Sequence, residues 1–144
     1  MASVRHPSRT HKIRPGGPNE QRSRSFSRSA ALSGSRSRQH LSGIVRRLLP
    51  RDALIVRDST VPVYLWGNRV LPILEPRTSI RPSSTSIGPG IGLAVGAAAG
   101  TGRRTLLMVG DGGFQLGVGE LATVAQHNLP MVICVFNDKG YGVL

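Results

Sequence analysis

Two near-continuous apolar runs, Thr105-Leu-Leu-Met-Val109 and Met131-Val-Ile-Cys-Val-Phe136, constrain this chain more than any other feature. Each has the length and branched character of a strand, and neither alternates polar with apolar residues. Such strands are covered on both faces. Between them Leu116, Leu121, Val124 and Ala125 recur at helical spacing, and Asn128-Leu-Pro130 ends the predicted helix after His127. Buried strand, helix, buried strand predicts parallel pairing with a crossover, an α/β fold with a parallel sheet and helices on both faces. Ala53-Leu-Ile-Val56 predicts an earlier strand that ends at Arg57-Asp58, where Asp58 reads as a capping residue. Val63-Tyr-Leu-Trp66 predicts a short helical stretch, and 69–82, broken by Pro72, Pro76 and Pro82, irregular chain around one short strand. Ile91 to Gly100 is small and apolar and predicts a tightly packed helix.

Ligands of parallel sheets bind beyond the carboxyl ends of the strands. Both later strands end there in oxygen-rich clusters, Gly110-Asp-Gly-Gly113 and Asn137-Asp138. The 24 residues between Gly112 and Asn137 suffice for a helix and a strand with short connections, so the two tips are expected to be neighbours. A diphosphate ester asks for closely approaching backbone N–H groups, which glycine permits. Its charge asks for a divalent cation, and Mg²⁺ takes hard oxygen ligands with phosphate completing the shell. Gly110, Gly112 and Gly113 supply the first requirement. Asp111, Asn137, Asp138 and the carbonyl of Gly140 supply candidates for the second. A lone Gly-Asp-Gly-Gly turn is most often a plain loop; it is the pairing of two strand tips that points to this chemistry.

Gly110-Asp111-Gly112 followed by Asn137-Asp138 resembles the motif of thiamine diphosphate-dependent enzymes, Gly-Asp-Gly followed at a similar distance by Asn-Asn. Ile87-Gly-Pro-Gly-Ile-Gly-Leu-Ala-Val-Gly-Ala-Ala98, Gly119-Glu-Leu-Ala-Thr-Val-Ala-Gln126 and Val135-Phe-Asn-Asp-Lys-Gly-Tyr-Gly-Val-Leu144 are similar to the same family, in its acetolactate synthase and benzoylformate decarboxylase group. The likeness covers residues 45–144 and is best defined over 83–144. It implies that Asp111 and Asp138 are side-chain ligands of Mg²⁺ and that Gly140 gives a backbone carbonyl. By the same resemblance Gly110, Gly112, Gly113 and Asn137 contact or shape the diphosphate. Ile87 stands where the family keeps a bulky apolar residue under the cofactor, and Ser59 and Thr60 where it has a further diphosphate-side loop. Asp138 departs from the commoner Asn; it is an equally competent oxygen ligand, with a charge for the metal or Lys139 to screen. The complete enzyme so implied makes or breaks a carbon–carbon bond beside the carbonyl of a 2-keto acid. Its activating Glu lies on another domain, across a subunit interface of a homodimer or tetramer. No segment here resembles that domain, and the family continues past Leu144, so the chain is expected to be a truncated cofactor domain, inactive alone.

The formal charge of +12 does not belong to that domain. Residues 1–51 hold twelve of the nineteen Lys and Arg and one acid, and so carry +11 of it. Residues 1–43, rich in Arg and Ser, have no periodic apolar face and are expected to be a disordered tail before a partial domain over 44–144. Foremost, the tail reads as a non-native extension; an organellar transit peptide and a polyanion-binding arm are the other readings. The single Cys134 excludes an internal disulfide and a Cys-based zinc site, and sits as a small apolar residue inside its strand. No apolar stretch is long enough to span a bilayer and no secretory signal precedes the domain, so a cytoplasmic location is expected, organellar if the tail is a transit peptide. Two other functional readings stand beside the first: polyanion or nucleic-acid binding through the basic tail, and a gene remnant without function.

Overall fold

The structure is a computed structural model that describes residues 35–139. The predicted tail up to residue 34, and Gly140 as a carbonyl ligand, lie outside those residues. In chain order the elements are α1 (Ser35–Leu48), β1 (Leu54–Arg57), a π-helical turn (Val63–Gly67), β2 (Ser79–Ile80), α2 (Pro89–Thr101), β3 (Thr105–Gly110), α3 (Asp111–Leu116), α4 (Glu120–Gln126) and β4 (Met131–Phe136).

The four strands form one sheet in the order β2-β1-β3-β4, and every pairing is parallel. Leu54 lies opposite Thr105, Thr105 opposite Met131 and Gly110 opposite Phe136, so the carboxyl ends of β3 and β4 finish level. The two central strands are buried along nearly their whole length, as continuous apolar runs require. Alternate residues feed two cores. Ile55, Leu106 and Met108 face one way and pack with Val63 and Leu71; Val45 of α1 and Leu49 lie against that cluster. Val56, Leu107 and Val109 face the other way, where Ile91 and Ala94 of α2 cover them.

Helix α1 crosses the boundary expected at residue 43. Leu41, Ile44, Val45 and Leu48 form a helical stripe that straddles the boundary, so neither side of it shows a full period. Ser42, on the tail side, is buried, and its hydroxyl donates to the Val70 carbonyl at 3.1 Å. Helix α2 follows expectation. Its buried residues Gly90, Ile91, Ala94, Val95 and Ala98 form one stripe, and Gly102, with a φ of 65°, ends it by donating to the Ala98 carbonyl at 2.8 Å.

The crossover from β3 to β4 differs from the single helix predicted over 116–127. It is two short helices with a break at Gly117-Val118-Gly119. Glycine favours neither side of such a helix. Gly117 also sits so close to α2 that a Cβ there would lie 2.0 Å from Ile91 Cγ2. The chain turns where α2 leaves no room for a side chain, and Leu116, expected on the apolar face, ends up 66% exposed.

Candidate functional site

The strand order places a topological switch point between β1 and β3. The connection leaving β1 runs to β2 on one side, and that leaving β3 runs to β4 on the other. Such divergence opens a crevice at the carboxyl ends of the two strands, the usual ligand position in open α/β sheets. Asp58, Ser59 and Thr60 leave β1 at this crevice, and Gly110 and Asp111 leave β3. Asn137 and Asp138 follow β4, one strand further.

Contacts confirm the adjacency on the β1 side. A Cβ built on Gly110 would meet Thr60 Oγ1 at 3.0 Å and the Phe136 carbonyl oxygen at 4.0 Å. Gly110 therefore lies between the loop after β1 and the tip of β4, with its backbone bare. Thr60 is buried and Ser59 half-buried. Gly113 is buried as well; a Cβ on it would lie 2.7 Å from Asp58 Oδ2 and 3.3 Å from Ile87 Cγ2. Ile87, Gly113 and Asp58 thus share one spot, and the expected residues Ser59, Thr60, Ile87, Gly110 and Gly113 belong to a single neighbourhood.

Asp58 is the residue whose part in this neighbourhood the sequence does not reveal. It is 1% exposed. Its Oδ1 accepts from the Ser59 N–H and its Oδ2 from the Gly88 N–H, both at 2.8 Å. Gly88 is the residue that caps α2, so Asp58 does cap, but it caps a helix thirty residues downstream rather than the stretch that follows it. A Cβ on Gly90 would fall 2.6 Å from Asp58 Cβ. Glycine at 90 and 113 lets two segments close around one carboxylate. The only sequence signal was an acid directly after a buried run.

The level ends of β3 and β4 place Asp111 and Asn137 each directly after the last paired residues, Gly110 and Phe136. Asp111 is half-buried, while Asn137 and Asp138 are exposed. Asn137 Oδ1 accepts from the Lys139 N–H at 2.9 Å, and Lys139 takes a φ of 63°. The side chain of Asn137 thereby bends its own loop back. Neither Asp111 nor Asp138 has an ion pair among the described residues. Those residues contain no group of three or more His, Cys, Asp and Glu placed to hold a metal. A cation here would rest on two carboxylates, with carbonyl and phosphate oxygens completing the shell. That donor set fits Mg²⁺, which keeps few protein ligands when phosphate is present. Gly110, without a side chain at the tip of β3, fits close approach by a diphosphate, while Gly113 is packed against Asp58, Val109 and Ile87.

Elsewhere, burial pushes the thiol of the half-buried Cys134 up. No helix among the described residues is long and apolar enough to cross a membrane.

Comparison with known proteins agrees with this geometry. The profile of the family described as "Thiamine pyrophosphate enzyme, C-terminal TPP binding domain" matches residues 62–144. Benzoylformate decarboxylase of Pseudomonas aeruginosa is 33% identical over 102 residues, covering 70% of this chain and 19% of that protein. The 2-hydroxyacyl-CoA lyase of Arabidopsis thaliana is 34% identical over 103 residues, covering 64% of this chain and 18% of the other. Among solved structures, the thiamine diphosphate-dependent 4-hydroxybenzoylformate decarboxylase of Rhodococcus jostii RHA1 superposes with a TM-score of 0.66 at 29% identity, covering 74% of this chain and 20% of that one. The chain spans about a fifth of the length of these relatives.

Proposed function

The chain belongs to the thiamine pyrophosphate enzymes, through their C-terminal TPP-binding domain, and from that membership we propose that it anchors the diphosphate of thiamine diphosphate through Mg²⁺ at the tips of β3 and β4. Asp111 and Asp138 hold the metal with their carboxylates, and Gly140 adds its carbonyl. Gly110, Gly112, Gly113 and Asn137 line the diphosphate, and Ser59 and Thr60 approach it from β1. Ile87 lies under the cofactor. The observation that carries this reading is the register of β3 against β4, with Gly110 opposite Phe136, because it puts the two oxygen clusters side by side.

The bound cofactor supplies the nucleophilic carbon that makes or breaks a bond next to a carbonyl. This chain's own residues bind, orient and neutralise. Asp111 and Asp138 offset the metal, the glycines let backbone N–H groups reach phosphate oxygens, and Ile87 shapes the pocket. None of them is placed to move a proton. In the whole enzyme the reading extends to a 2-keto acid substrate, decarboxylated or ligated to a second carbonyl compound, and to a homodimer or tetramer that contributes the activating Glu.

Calorimetric titration of the full chain with thiamine diphosphate and Mg²⁺ tests the assignment, with circular dichroism verifying that each variant folds. Wild type should bind saturably and lose binding on chelation of Mg²⁺. Asp111→Ala should weaken affinity by about 100-fold or more, since even residues behind a metal ligand cost 10–100-fold. Asp138→Asn, which keeps an oxygen ligand, should bind within a few fold of wild type. Undiminished binding by folded Asp111→Ala overturns the site.

A further inference from the structure

Asp58 is an acid of the crevice that neither the metal nor the diphosphate uses. It is 1% exposed, and no Lys, Arg or His forms an ion pair with it among the described residues. A carboxylate so buried is costly unless it is hydrogen-bonded. Its two bonds to backbone N–H groups, from Ser59 to Oδ1 and from Gly88 to Oδ2, are therefore what holds it.

The second bond reaches a particular peptide. The Gly88 N–H belongs to the plane that joins Ile87 to Gly88, so Oδ2 fixes the backbone on the carboxyl side of Ile87. Gly88 has little freedom of its own. Its φ is 108°, and a Cβ on it would lie 2.9 Å from Leu116 Cδ1. Asp58 has no room to shift either. A Cβ on Gly90 would lie 2.6 Å from Asp58 Cβ, and one on Gly113 would lie 2.7 Å from Oδ2. The same Cβ on Gly113 would be 3.3 Å from Ile87 Cγ2. One carboxylate oxygen thus touches both the peptide of Ile87 and the first turn of α3.

We propose that Asp58 is a positioning residue, which sets Ile87 against the Gly110–Gly113 turn and thereby the shape in which the organic part of thiamine diphosphate is held over its anchored diphosphate. The proposal rests on the cofactor reading above and gives Asp58 no contact with the cofactor or the metal. Capping α2 makes Asp58 matter for stability. The tie to Ile87 makes it matter for which ligand fits, because Asp111 and Asp138 stand on the tips of β3 and β4 and do not depend on it.

Calorimetric titration of the full-length chain with two ligands tests this, thiamine diphosphate and inorganic pyrophosphate, each with Mg²⁺. Circular dichroism verifies that each variant folds. Asp58→Ala should weaken thiamine diphosphate at least about tenfold, as loss of a residue behind a binding group does. Pyrophosphate, which has nothing to rest on Ile87, should bind within about threefold of wild type. Asp58→Asn keeps one acceptor, should show the same selective loss to a smaller degree, and carries the test if Asp58→Ala does not fold. Ile87→Ala should reproduce the selectivity. The double variant should be no more than about threefold weaker than the worse single one, whereas independent losses would multiply. Equal weakening of both ligands, undiminished thiamine diphosphate binding by a folded Asp58 variant, or multiplying losses overturns the proposal and leaves the cofactor reading standing. Wild type that does not bind thiamine diphosphate overturns that reading, and this proposal with it.

Discussion

Asp58 shows how much one residue decides here. Its carboxylate ties the end of β1 to the start of α2 through two backbone N–H groups, and Gly90 and Gly113 make room for it. Asp58→Asn keeps the shape but turns one acceptor into a donor that faces an N–H. Leaving such a group unsatisfied should cost about 1–3 kcal/mol, readable as a lower midpoint in urea with an unchanged m-value. Cys134 gives a second prediction. Because burial raises its pKa, less thiolate is present at any pH than for a free thiol, so iodoacetamide at pH 8 should alkylate the native chain far more slowly than the urea-unfolded chain. Rapid native alkylation would show the strand to be open. The sequence places Asp111 and Asn137 directly after two apolar strands, and the structure has them there, although β4 is only partly buried. The part played by Asp58 was not legible, since its partner Gly88 is thirty residues away and nothing local marks the contact. Arg57 was read correctly as the strand end, but nothing local marks that its charged side chain is buried.

Elements were read best where they are continuous. β3 and β4 fall within a residue of their expected bounds, and α2 extends only slightly beyond its apolar run. Two were misjudged for the same reason, that a periodic stripe was cut or stretched across a feature it could not report. In α1 the stripe was split by an assumed boundary. In the crossover, helical spacing ran on across Gly117 and Gly119, although the break is imposed by Ile91 from another element. These glycines should respond oppositely to alanine. Gly117→Ala should destabilise by about 1–3 kcal/mol, since its Cβ has no space. Gly119, with helical backbone angles and nothing within 4 Å, should accept alanine with a gain of about 0.4–1 kcal/mol. Denaturant midpoints of the two single variants decide it.

For the whole molecule, the uneven charge separates a basic leader from a nearly neutral domain. Removing residues 1–34 should therefore leave thiamine diphosphate affinity unchanged. Removing 1–48 takes away α1 with the side chains of Ser42 and Val45, and exposes Ile55, Leu106 and Met108. Its unfolding midpoint should fall by roughly 4–8 °C for each kcal/mol of lost packing. Parallel scanning calorimetry of the two truncations checks both statements. Architecture was legible at this scale because buried parallel strands admit few arrangements. The switch point was not, since the short β2 pair Ser79-Ile80 gives almost no periodic signal, and without it β1 has no second neighbour. The placement of β4 has its own consequence. Among the described residues it is the outermost strand on its side, its six residues carry neither charge nor proline, and Val132 and Val135 are 48% and 41% exposed. A margin of that composition has none of the gatekeepers that discourage strands from stacking onto one another between molecules. Val132→Lys should therefore raise the concentration at which this chain stays monomeric, read by light scattering.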